Sequence, residues 1–133
     1  MEHAVMFDDG DELLARVRSI AFALPGAQEK ISHGRPAFFT TKVFAYYSGS
    51  LKVSDEWVQH PQVIVVKLDA DEREALLSEE RSWIPAHLGP SGWIGIDVDE
   101  DTDFTEVAEL LDSSYRQTAT RTLITELDST RGV

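Results

Sequence analysis

The 133-residue chain has the length of one domain and contains no cysteine, which excludes disulfides, thiolate zinc sites and cysteine nucleophiles. Hydrophobic residues make up 42% and charged residues 27%, a globular rather than a disordered composition. Twelve Lys and Arg against 24 Asp and Glu leave a formal charge of −12, the wrong sign for a generic phosphate-backbone binder.

Residues 1–12 are acidic and lack a basic stretch followed by an apolar core, so no signal peptide is readable. The longest apolar run, residues 20–24, is far too short to span a bilayer. The expectation is a single soluble, cytoplasmic domain over residues 1–133 with no membrane partner. Within residues 11–24, Leu13, Leu14, Val17, Ile20, Ala21 and Leu24 recur at helical spacing. Asp8, Asp9, Asp11 and Glu12 stand at its start, where carboxylates suit the helix dipole. Pro25-Gly26 ends it, because proline has no N–H to continue and glycine accepts the turn.

From residue 29 to 68 the period shortens. Residues 37–40, 43–47 and 63–68 are rich in β-branched and aromatic side chains and read as strands. Turn chemistry occupies 34–36 and 48–50, and residues 48–62 read as a long, mixed-charge connection. Asp69, with Glu72 three positions on, opens a second helix running to about residue 80. Residues 83–84 and 93–98 resume as strands around a loop with Pro85, Gly89, Pro90 and Gly92. Asp103, with Glu106, starts a last helix whose Phe104, Val107, Ala108, Leu111, Tyr115 and Ala119 keep a 3–4 spacing. The predicted fold class is α+β: a two-layer sandwich with a single, mostly antiparallel sheet and helices on one face. The expected order is one helix, three or four strands, a helix, two strands and a helix. Leu13, Val17, Ile94, Ile96, Val107 and Leu111 should share one core.

Strand parity sorts the side chains. Ile94, Ile96 and Val98 share one face, and Trp93, Gly95 and Asp97 the other. Ile64, Val66 and Leu68 alternate with Val63, Val65 and Lys67. The all-aliphatic sets should meet the helices. The remaining face then shows Trp93 and Lys67, with either Lys42 and Tyr46 or Val43 and Tyr47 from the third strand. Such a face can hold a base, a peptide or a partner subunit. Alternatively the 48–62 connection folds over it, and packing is the commoner role of large aromatics.

Motif chemistry is sparse. The acidic run 97–103 fails as a calcium loop, because Thr102 or Phe104 stands where glycine is required and Ala108 or Leu110 where glutamate is required. His33, His60 and His87 follow no metal spacing, and no nucleophile elbow, Walker loop or dinucleotide fingerprint is present. No metal, no cofactor and no catalytic residue is therefore expected. Charge is more informative. Residues 28–67 hold Lys30, Arg35, Lys42, Lys52 and Lys67 against Glu29, Asp55 and Glu56, a balance of +2 that leaves −14 elsewhere. This mildly basic island is interleaved with Phe38, Phe39, Phe44, Tyr46, Tyr47 and Trp57, a combination able to meet phosphates and bases.

The segments Ala23-Leu24-Pro25-Gly26-Ala27 and His33-Gly34-Arg35-Pro36-Ala37-Phe38 resemble the opening of the bacterial MmcQ/YjbR-like proteins. Lys42-Val43-Phe44-Ala45, Val65-Val66-Lys67-Leu68, Pro85-Ala86-His87-Leu88, Gly92-Trp93-Ile94 and Ser114-Tyr115 follow in the matching order, so that the likeness spans roughly residues 13–121. The resemblance implies a two-layer domain related to CyaY-like and secretion-chaperone-like folds. It also implies DNA binding through a winged surface on the sheet, and it supplies no catalytic residues. The resulting expectation is a non-enzymatic domain that binds DNA weakly through Arg35, Lys42, Lys52, Lys67, His87 and Trp93. The alternatives are a protein-interaction or chaperone-like domain using the same face, in one form as a homodimer, and a small-molecule site near His33, His87 and Trp93.

Overall fold

Every helix opens on a side chain that accepts a backbone N–H. Asp11 accepts from Leu13 before α1 (Glu12–Phe22), and Asp69 from Glu72 before α2 (Ala70–Leu77). Asp103 accepts from Thr105 before α3 (Phe104–Thr118), and Thr120 from Leu123 before α4 (Arg121–Thr130). The computed structural model describes residues 7–85 and 88–131, apart from the side chains of Lys52 and Val53. Four helices rather than three occupy the described residues. Ala119 turns extended with ψ 160°, which stops α3 and lets Thr120 cap a separate helix. Helix α2 ends at Leu77, three residues before the predicted stop.

Six strands form one antiparallel sheet: β1 (Gln28–Ser32), β2 (Arg35–Phe39), β3 (Val43–Val53), β4 (Glu56–Lys67), β5 (Ser82–Trp83) and β6 (Trp93–Asp97). Their spatial order is β1-β2-β3-β4-β6-β5. This is the α+β sandwich expected from the sequence, with four strands ahead of α2, within the three or four expected. The turn assigned to 34–36 is formed by His33-Gly34, both at positive φ, and Arg35 and Pro36 already belong to β2. Residues 48–62 are not a loop. β3 and β4 run on as a hairpin arm, joined at Ser54-Asp55, whose φ values of 49° and 68° are those of a tight primed turn. Within the described residues, no helix is long and apolar enough to cross a membrane.

The main core lies between the sheet and the helices. It contains the six residues expected there, Leu13, Val17, Ile94, Ile96, Val107 and Leu111, together with Phe38, Phe44, Tyr47, Ile64, Val66, Tyr115 and Leu127. A smaller cluster covers the opposite face: Val63, Val65, Trp83 and Trp93, with Val43, Tyr46, Leu51 and Leu88 packed on it. The two alternatives for the third strand merge. Register slips between Phe38 and Phe39, so that β3 carries one extra residue between Val43 and Ala45. Phe44 and Ala45 both join the helix side, while Val43 and Tyr46 both reach the second face.

Candidate functional site on the second sheet face

Parity places Trp93, Gly95 and Asp97 of β6 on the second face, as expected. The short strand β5 then lays Trp83 across them. A side chain on Gly95 would bring its Cβ within 2.6 Å of the Trp83 ring, so the absence of a side chain is what lets the indole lie flat. The Trp83 indole N–H donates to Asp97 Oδ1 at 3.2 Å. His60 of β4 stacks on the same indole, ring centroids 4.3 Å apart, and its Nδ1 lies 2.8 Å from that same carboxylate oxygen. Asp97 thus fixes both rings at once. Donation from His60 Nδ1 to the carboxylate turns Nε2 away from it.

Arg35 approaches from β2. Its guanidinium lies 4.1 Å from the centre of the Tyr46 ring, and Tyr46 leans on Trp93 with centroids 5.5 Å apart. Arg35 Nη1 donates to the Ser48 carbonyl at 2.8 Å, while Nε is buried without a partner. Burial pushes the guanidinium pKa down from its ordinary value, since desolvation disfavours the charged form. Gly49 sits at the centre of this group: a Cβ there would lie 3.0 Å from Arg35 Nη1 and 3.4 Å from Trp83 Cη2. Arg35, Gly49, His60, Trp83 and Asp97 therefore converge.

Of the six residues expected to contact nucleic acid, Arg35 and Lys67 lie apart on the sheet. Arg35 is held under Tyr46 and Ser48. Lys67 pairs in register with Trp93 and is partly buried. Arg35 faces Ser48, whereas Lys67 extends the register to the level of Phe44, four residues or roughly 13 Å along β3. Lys42 is exposed on the bend before β3. The Lys52 side chain and all of His87 lie outside the described residues. Trp93 is only 8% exposed and works as packing for the second cluster. Of the residues considered for a small-molecule site, His33 is exposed on the β1–β2 turn, away from Trp93's strand.

Sequence reasoning passed over His60 and Trp83 as functional residues. His60 stands beside Pro61, which reads as a strand breaker, and only the continuation of β4 through that proline places the imidazole against β6. Asp97 carried a usable signal, because parity already set it beside Trp93. Among the described residues no group of three or more His, Asp or Glu side chains converges in metal-binding geometry.

A family model described as YjbR matches residues 22–117. No curated protein matches the chain. Two crystal structures are similar to it. One is a protein from Pseudomonas syringae, 16% identical with a TM-score of 0.55, where the match covers 76% of this chain and 96% of that one. The other is a Deinococcus radiodurans protein with a DUF419 domain, 20% identical with a TM-score of 0.60, covering 86% of each chain. At these identities the likeness extends to the fold.

Proposed function

The chain belongs to the YjbR family, and from that premise we propose that it is a non-enzymatic protein-interaction domain that associates with a second copy of itself through the β3–β4 arm. The carrying observation is the arm's exposure. β2 pairs with β3 only as far as Tyr46, and β6 pairs with β4 only from Val63 onward. Beyond those points no further strand pairs with the ribbon among the described residues, and its base is engaged at the Ser48 carbonyl by Arg35 and at the Gln62 carbonyl by the Val98 N–H. Such a two-stranded ribbon is marginally stable in water by itself. Trp57 and Val58 on it are 51% and 43% exposed. Burying such groups against a like ribbon removes apolar surface from water and pairs the open backbone edges.

Charge favours a second copy at this place. The arm lies within residues 28–67, the +2 segment of the chain, and itself holds only Lys52 against Asp55 and Glu56, so association there brings less like charge together than contact between the −14 remainders would. Among the described residues the nucleic-acid reading draws on Arg35, Lys42 and Lys67, of which Arg35 and Lys67 are separated along the sheet, within a chain of charge −12. At most roughly three or four phosphates would be neutralised, giving a salt slope near −3.

Light scattering on eluting protein tests the proposal. The wild type should run at twice the chain mass, and the double substitution Trp57→Ser/Val58→Ser should run as a folded monomer. A wild-type monomer at every accessible concentration would refute self-association. Titration of labelled duplex and single-stranded DNA at two salt concentrations tests the competing reading. Salt-sensitive DNA binding abolished by Lys42→Glu/Lys67→Glu would replace the proposed function with nucleic-acid binding.

A further inference from the structure

Arg35 carries a charge that the protein leaves unanswered. Arg18, Arg81, Arg116 and Arg131 each hold a carboxylate, but among the described residues none lies within ion-pair distance of Arg35. Among the described residues its partners are a neutral carbonyl and the face of Tyr46. Nε is sealed without an acceptor, and Nη2 has no acceptor among the described residues. A partly buried cation in this condition is costly unless a counter-charge arrives from outside the chain.

The surroundings supply a second donor. Gly49 pairs in register with His60, and residues so paired project to the same face with their Cβ positions about 5 Å apart. Arg35 Nη1 fills the space over Gly49, and the His60 ring lies against the same Trp83 that borders that space. Guanidinium and imidazole therefore flank one indole. Asp97, whose Oδ1 accepts from His60 and Trp83, makes no ion pair with Arg35. With Nδ1 committed to Asp97, the imidazolium form of His60 has only Nε2–H left to donate.

We infer that Arg35 and His60 form an oxyanion-binding site on the second sheet face, taking a carboxylate or a phosphate group. Arg35 Nη2 provides the charge-assisted hydrogen bond, Nε2–H of the protonated His60 ring the second donor, and Trp83 the flat wall beside both. The lowered proton affinity that burial imposes on Arg35 has the direction expected of a site awaiting its counter-ion. The donors of this site, Arg35 and His60, are other residues than the Trp57 and Val58 of the proposed association, so each can be changed without the other.

Nuclear magnetic resonance of the full chain tests the inference, with inorganic phosphate in one titration and benzoate in another. A saturable shift of the Trp83 indole N–H and the His60 ring resonances is expected with at least one of them. Saturation by phosphate alone identifies a phosphoryl ligand, and by benzoate alone a carboxylate. Arg35→Met should weaken binding roughly tenfold or more, with Arg35→Lys restoring part of it, and His60→Gln should weaken it several-fold. Trp57→Ser/Val58→Ser should bind as the wild type does, which separates this site from the proposed association. No saturable shift with either anion, or unchanged affinity in Arg35→Met, overturns the inference. Should Arg35→Met fail to fold, unchanged affinity in His60→Gln overturns it equally.

Discussion

Single atoms decide how closely the elements of this domain approach one another. At Gly95 the indole of Trp83 occupies the space of a missing Cβ, at 2.6 to 2.9 Å from three of its ring atoms. The ring cannot yield easily, because Asp97 holds its N–H and His60 covers its face. Gly95→Ala should therefore cost about 1–3 kcal/mol in urea unfolding and shift the Trp83 fluorescence, because overpacking forces the ring out of its place. A change below a few tenths of a kcal/mol would mean the indole is not confined. Ser114 is the corresponding polar joint on the helix side. Its buried hydroxyl donates to the Phe44 carbonyl and accepts from the Lys67 N–H at 2.8 Å, tying α3 to β3 and β4 together. Ser114→Ala strands both backbone groups and should cost about 1–3 kcal/mol by the same measurement.

Elements depend on how these contacts are spaced. α4 buries only Leu127 fully, with Leu123 and Ile124 partly buried against the core, and its tie to α3 is made by charge. Arg116 lies 2.7 Å from both Asp112 and Asp128, and Arg131 closes the network on Asp112. The hydrogen bond from Arg116 holds the Asp128 carboxyl below its ordinary value of 3.8. A depressed carboxyl contributes stability above its unfolded value and loses it as pH falls through the folded one. Acidification below 3.8 should thus loosen α4 ahead of the sheet, seen as faster hydrogen exchange of the amides of Arg121–Thr130 once intrinsic rates are removed. Uniform acceleration across all elements would contradict it. The helices were legible because their carboxylate caps and 3–4 spacings are local signals, and α4 was missed because nothing in the spacing separates it from α3 until Ala119 turns extended. The aliphatic strands β4 and β6 were legible by alternation. The arm was not, since Pro61 and the polar stretch around Ser54 and Asp55 imitate a loop, and pairing with β3 settles the matter only in three dimensions. The same holds for the site. Parity could place Asp97, but the meeting of Arg35 and His60 across Gly49 depends on a register that no local pattern encodes.

At the scale of the whole molecule the charge is what separates the two readings of the arm. Each chain carries −12, so two copies repel before their arms meet, and mobile ions weaken that repulsion over about 10 Å at 0.1 M salt. The attraction between the arms is apolar and backbone hydrogen bonding, which salt leaves nearly intact. Association should therefore tighten as salt rises from low to physiological ionic strength, with sedimentation equilibrium as the measurement. Nucleic-acid binding has the opposite sign, since salt competes for the phosphates that lysines neutralise. A dimer that instead loosens with added salt would show that lysine–carboxylate pairs, not Trp57 and Val58, hold it together. The same titration repeated on Trp57→Ser/Val58→Ser completes the argument. Screening alone should not make that variant associate, because the backbone edges that remain lack the apolar burial that stabilises their pairing.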